Sequence, residues 1–199
     1  MRHLALIFFL AFASPAMAWD LSSRAEAELV RNGTYVDVQP DPGGASGLLR
    51  AATDIAAPPA LVWQILVDCD LATRLATTLK SCHVLQKDPA GRWDIREQVR
   101  KGGLLPPLHS TFRSDYEVPS RIRFRALSGD FRVFEGEWRL IPLNGGRATR
   151  VLYEVRAASP YAVPNAVARA VLRLEAPQAL TALKRECLAR TARASKADS

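Results

Sequence analysis

The chain has 199 residues, 48% of them hydrophobic, and a formal net charge of +7. That length suits one domain with a core of its own. The 27 Lys and Arg are interspersed with 20 Asp and Glu and form no basic run, which argues against nucleic acid as a partner and leaves at most a transient contact with an anionic membrane surface.

The first residues read as an address. Met1-Arg2-His3 is a short basic start, residues 4–13 are apolar, and Ser14-Pro15-Ala16-Met17-Ala18 ends in small residues. This is the pattern of a secretory signal cleaved after Ala18. A membrane span needs about 20 apolar residues, and this run is shorter. The mature chain is therefore expected in the periplasm or secreted, and removal of Arg2 takes its charge from +7 to +6.

Residues 19–31 are mildly helical, Asn32-Gly33 is a turn signal, and residues 34–39 alternate as a short strand. Residues 41–47 are a Gly-rich connection. They are not a phosphate loop, since no Lys-Ser/Thr follows. These pieces form an N-terminal extension over 19–47. A strand over 48–55 ends at Ala56-Ala57-Pro58-Pro59, which also suits a helix start. Leu61, Val62, Ile65 and Leu66 continue that helix, and Asp68 and Asp70 favour a second one over 71–79. The three cysteines are Cys69, Cys82 and Cys187. Export favours a disulfide, and Cys69 with Cys82 is the natural pair, although three pairings exist and spacing alone does not choose.

From residue 81 the chain is almost all strand. After a strand over 82–86, residues 92–101 alternate, with Trp93, Ile95, Glu97 and Val99 expected inside and Asp94, Arg96, Gln98 and Arg100 outside. Residues 102–107, Gly-Gly-Leu-Leu-Pro-Pro, suit an apolar gate or an ordinary turn. The strand over 109–118 turns Phe112, Ser114, Tyr116 and Val118 inward. Residues 120–143 read as a hairpin, with Ile122, Phe124, Phe134, Gly136, Trp138 and Leu140 inside and Arg and Glu outside. A three-residue turn at Ser128-Gly129-Asp130 would set Arg123 opposite Glu135 and Arg121 opposite Glu137. Gly136 reads as a bend or a point where a helix approaches closely. After Asn144-Gly145-Gly146, a last strand over 148–157 carries Val151, Tyr153 and Val155 on one face. Residues 165–190 form a long helix with Val167, Ala170, Val171, Leu174, Leu180, Leu183 and Leu188 as its stripe, and Pro177 is expected to kink or break it. Residues 192–199 read as a flexible tail.

The order is strand, two short helices, antiparallel strands, then one long helix. Asp54-Ile-Ala-Ala-Pro-Pro-Ala-Leu-Val-Trp-Gln-Ile-Leu-Val-Asp68 and Gly136-Glu-Trp-Arg-Leu140 resemble the strand, Pro bend, Val-Trp helix and Gly-x-Trp-x-Leu strand of the START-like (SRPBCC) superfamily. That superfamily includes polyketide cyclase/dehydrase and coenzyme Q-binding types. The segment over 70–79 departs from it, lacking the aromatic and Pro residues often found there. The resemblance implies an α+β helix-grip fold over 48–191, with a curved antiparallel sheet of about six to seven strands wrapped around the C-terminal helix. It also implies a hydrophobic cavity between them. Trp93, Ile95, Glu97, Phe112, Tyr116, Phe124, Phe134, Trp138, Tyr153, Val167, Val171 and Leu174 would line that cavity. On the residues alone, the aromatic set is equally the middle of a solid core.

Catalytic residues are scarce. His83 and His109 are the histidines of the mature chain, and His109 lacks an evident carboxylate partner. Cys69, Cys82 and His83 fit no zinc spacing, and no nucleophile elbow exists. Glu97 would sit at a strand end or pair with an arginine of the last helix such as Arg169 or Arg173 or, failing that, orient a ligand head group. The expectation is a monomeric, exported binding or carrier protein for a lipid-, quinone- or polyketide-like molecule, with no cofactor and no metal. A cyclase/dehydratase-like enzyme and a solid interaction module are the alternatives.

Overall fold

The computed structural model describes residues 19–41, 47–102, 106–158 and 164–197. The leader (1–18), most of the Gly-rich connection (42–46), the centre of the apolar loop (103–105) and the stretch holding Pro160 (159–163) lie outside the described residues. The elements are α1 (Ser23–Asn32), β1 (Thr34–Gln39), β2 (Gly47–Ile55), α2 (Pro59–Val67), α3 (Cys69–Leu75), β3 (Leu79–Lys87), β4 (Trp93–Arg100), β5 (Leu108–Glu117), β6 (Arg121–Gly129), β7 (Val133–Leu143), β8 (Ala148–Ala158) and α4 (Asn165–Ala197). Eight strands form one antiparallel sheet in the order β1-β2-β8-β7-β6-β5-β4-β3. The strand beyond the expected six to seven is accounted for by β1, which pairs with β2 along its whole length.

Local chemistry sets the boundaries. The Ser22 side chain accepts from the Ala25 N–H and caps α1, and Gly33 ends it in the left-handed conformation at φ 71°. Pro59 opens α2, where its missing N–H costs nothing. Asp68 caps α3 by accepting from Asp70 and Leu71. This helix starts earlier and is shorter than expected. The backbone turns extended at Ala76, and Leu79, buried, already begins β3.

The sheet is covered on both faces. On one side α2 and α4 pack onto it through Val62, Trp63, Ile65, Leu180, Leu183 and Cys187, together with Ala51 and Val151 of the sheet. On the other, α1 places Leu29 against Ala52 and Leu152. This double cover explains why the neighbours Ala51 and Ala52 are both fully buried and why β2 does not alternate. A disulfide joins Cys69 to Cys82 and ties the start of α3 to β3. Cys187 is a buried free thiol, and burial pushes its pKa up to about 12.

Four expectations are corrected here. The hairpin pairs Arg123 with Glu137, Arg125 with Glu135 and Arg121 with Arg139, two residues away from the expected register. A shift of two preserves the faces, so Phe124 and Gly136 still point inward. Val118 is exposed rather than inward. α4 continues through Pro177 and past Arg190 to Ala197, across most of the expected tail, because packing on the sheet outweighs one lost hydrogen bond. Gly136 is not where the helix comes close. A Cβ there would lie 2.1 Å from the Glu154 carbonyl oxygen of β8 and 2.9 Å from the Phe124 ring. Gly47 meets α4 instead, with Arg169 and Leu172 within 3.3 Å of its missing Cβ.

Gly136→Ala is therefore expected to destabilise the fold by about 2 kcal/mol or more, since strand backbone must move to admit one methyl. Urea denaturation measures this. A loss below about 0.5 kcal/mol would show that β7 and β8 part freely at this point.

Candidate ligand cavity

Register decides which side of β4 is inside. Directly opposite residues of an antiparallel pair share a face. Phe112, buried, stands opposite Arg96, and Ser114, also buried, stands opposite Asp94. Asp94, Arg96, Gln98 and Arg100 therefore point inward, and Trp93, Ile95 and Glu97 point outward with Thr111, Arg113 and Asp115. This inverts the expected phase of the strand. Trp93 and Ile95 gave it an apolar look on the wrong face, and Trp93 is used there as a platform for Arg113, whose guanidinium lies 4.5 Å from its ring centre.

A cavity of about 150 Å³ lies between the sheet, α2, α3 and α4. Phe112, Tyr116, Phe124, Phe134, Trp138 and Tyr153 form its aromatic lining, with Ile122 among them. Trp138 and Tyr153 stack with ring centres 3.8 Å apart, and Phe124 and Phe134 meet at 5.2 Å. Arg96, Gln98 and Arg100 of β4 continue the same sheet face beside them, and the helices close the space with Val67, Ala72, Leu75, Ala179 and Leu183. α3 is pinned beside this space by the disulfide, so the connection between Cys69 and Cys82 holds one wall in place.

A polar knot sits within the wall. Asp94 is 4% exposed and Arg96 6%. Arg96 Nε donates to Asp94 Oδ1 at 3.1 Å, and Nη2 donates to Asp94 Oδ2, to Tyr116 Oη at 2.7 Å and to the Val67 carbonyl at 3.3 Å. Tyr116 Oη donates to Asp94 Oδ2 at 2.6 Å. Burial works against the charge of Arg96, but the hydrogen bonds and charge of Asp94 outweigh it and hold the guanidinium protonated. Burial, offset in part by Arg96 and reinforced by Asp94, pushes the Tyr116 phenol well above its usual range. Burial likewise pushes Tyr153 up to about 12. Both phenols stay neutral at ordinary pH and act as hydrogen-bonding groups.

The expected site residues divide cleanly. Phe112, Tyr116, Phe124, Phe134, Trp138 and Tyr153 are on the cavity wall. Trp93, Ile95 and Glu97 are on the outer face of β4, so Glu97 needs neither a buried partner nor a ligand, and Arg173 instead donates to the Val38 carbonyl. Val167, Val171 and Leu174 are 50%, 47% and 66% exposed. α4 turns Leu172, Ala176, Ala179, Leu180 and Leu183 inward instead, because it carries two apolar stripes and both fit the helical period. His83 and His109 are exposed on strands and face away from the cavity. Sequence reasoning missed Arg96, Gln98 and Arg100. The available signal was the pairing of β4 with β5, whose apolar face was evident.

A sheet gripping a long helix, with a partly polar cavity between them, is an architecture with room to enclose a small molecule. The particular family follows from sequence. Residues 55–184 match the model for "polyketide cyclase / dehydrase and lipid transport", and the chain belongs to that family. No curated protein matches the chain. Among solved structures it is similar to a STAR-related lipid transfer protein of Xanthomonas axonopodis, at 16% identity and a TM-score of 0.66, covering 78% of this chain and 94% of that one. It is also similar to human STARD10, at 12% identity and a TM-score of 0.66, covering 82% of this chain and 73% of that one. A third is the Zhui aromatase/cyclase of a Streptomyces species, at 19% identity and a TM-score of 0.57, covering 73% and 93%. At these identities the likeness is one of fold.

Removing Arg96 alone should strand the Asp94 charge. Arg96→Met is expected to cost about 3–5 kcal/mol, and the double change Asp94→Leu/Arg96→Met to recover more than half of it. Urea titrations of the two variants decide this, and a double variant no more stable than the single one would show that the pair holds the strands by more than mutual charge compensation.

Proposed function

We propose that this protein is an exported carrier that holds a small hydrophobic ligand between its sheet and α4. The observation that carries this reading is the cavity itself, whose sheet face combines an aromatic cluster with a hydrogen-bonding row on β4. Carriage requires shape, a dry wall and a few polar anchors, and it requires no proton transfer. Burial raises the pKa of both phenols that border the cavity, so they stay uncharged hydrogen-bonding groups, which favours binding over acid–base chemistry of the cyclase kind. In this reading residues 1–18 are the leader, residues 19–47 an extension whose α1 covers the back of the sheet, and residues 48–191 the ligand-binding domain. The Cys69–Cys82 disulfide fits an oxidising compartment, and no helix among the described residues is long and apolar enough to cross a membrane.

Native mass spectrometry of the protein purified from its own export compartment is expected to show a bound organic mass that organic solvent removes. Ala179→Phe, which adds a ring to the cavity from α4, should lose that mass while keeping its unfolding free energy within about 1 kcal/mol of the parent. An empty parent protein, or an Ala179→Phe variant that retains the same mass, would remove the carrier reading. Conversion of the bound compound to a new product on standing would favour the enzyme.

A further inference from the structure

The polar row on β4 is not uniform. Asp94 and Arg96 neutralise one another and close their hydrogen bonds within the protein. Arg100, four residues further along the same inward face, does not. Its guanidinium makes no ion pair and no side-chain hydrogen bond among the described residues, and it lies 6.0 Å from the centre of the Phe134 ring. Gln98, between Arg96 and Arg100, directs its amide nitrogen to a disulfide sulfur, Cys82 Sγ, at 3.9 Å. Sulfur is a weak acceptor, so this leaves most of the donor capacity of the amide unused. Glu175 of α4 stands at the same end, but it receives the Thr78 hydroxyl at 3.4 Å and is not within ion-pair distance of Arg100. One end of the cavity thus combines a cation with no ion-pair partner among the described residues, a spare amide donor and an aromatic face, with the Glu175 carboxylate nearby but engaged by Thr78.

Size narrows the occupant. About 150 Å³ accommodates a single aromatic ring and is small for a sterol or a two-chain lipid, and the space is partly open, so a short polar tail need not fit wholly inside it. A guanidinium presents parallel N–H donors that match the two oxygens of a carboxylate. A cation beside an aromatic wall gains more from an anion than it would in bulk water, because the wall displaces part of the competing solvent.

From this we propose that the cavity selects a compact aromatic carboxylate, with its ring against Phe124, Phe134 and Trp138 and its carboxylate on Arg100 and Gln98. The proposal rests on the carrier reading and adds the charge and size of the ligand. It assigns to Arg100 a binding role that the Asp94–Arg96 pair, already satisfied, does not fill.

Isothermal titration with 3-phenylpropanoate and with its neutral primary amide provides the test, using the parent protein and the Arg100→Gln and Arg100→Lys variants. The acid should bind the parent about ten- to a hundredfold more tightly than the amide, the worth of a charge-assisted hydrogen-bond pair. Arg100→Gln should remove that preference and leave amide affinity within about threefold, and Arg100→Lys should restore part of it. Equal binding of acid and amide to the parent, or an acid preference that survives in Arg100→Gln, would overturn the proposal and leave the carrier reading intact. Tighter binding of dodecanoate than of 3-phenylpropanoate would overturn the single-ring class. If neither acid nor amide binds, and benzene also leaves the NMR signals of Phe124, Trp138 and Tyr153 unmoved, the cavity does not accept ligands and both readings fall.

Discussion

An ion pair in an apolar wall must be satisfied on every side, and Asp94 with Arg96 imposes that requirement on the elements around it. Both lie on β4, so the strand has to present to the interior the face that carries them. Tyr116 on β5 supplies a hydroxyl that bridges the two, and the C-terminal end of α2 supplies the Val67 carbonyl. Three elements distant in sequence are thereby held in one arrangement. Leaving any of these partners out would expose a buried charge to a medium that solvates it poorly. The space beside the pair is the cavity.

The rest of the molecule supports that space from outside. α1 and its flanking Trp19 and Tyr35 close the back of β1, β2 and β8, so the sheet does not depend on α4 alone for cover. α4 seals the front with small and branched residues rather than large rings, and Ala176 and Ala179 bring the helix close to the sheet while the aromatic bulk comes from the strands. α3 offers only Leu71 as a fully buried anchor, which is little for a helix that walls a cavity. The disulfide to β3 supplies covalently what packing at α3 lacks.

Legibility in the sequence followed the contrast between faces. On β5, β6, β7 and β8, aromatic and aliphatic residues alternate with Arg and Glu, and Phe112, Tyr116, Phe124, Phe134, Trp138 and Tyr153 could be placed on the inner face from that contrast alone. On β4 the contrast is false. Trp93 and Ile95 are the apolar residues of the strand, yet they lie outside, and the inner row is Asp94, Arg96, Gln98 and Arg100. α4 is ambiguous for a related reason. Val167, Val171 and Leu174 repeat at helical spacing as faithfully as Leu172, Ala176, Ala179 and Leu183, and only the sheet beneath selects between the two stripes.

The sequence by itself determined the order and most boundaries of the elements, the antiparallel sheet under a long helix, and the family. It also set Cys69 and Cys82 close enough along the chain to be the natural pair. These depend on neighbouring residues: periodicity, caps, prolines and short spacings act over one or two turns of chain. Which face of β4 lines the cavity, which stripe of α4 closes it, and that Arg100 has no ion-pair partner there among the described residues were settled by the tertiary structure alone. The reason is that alternation says which residues share a face and never which face is inside. That choice is made by partners far away in the chain, here by Phe112 opposite Arg96 and by Tyr116 beside Asp94.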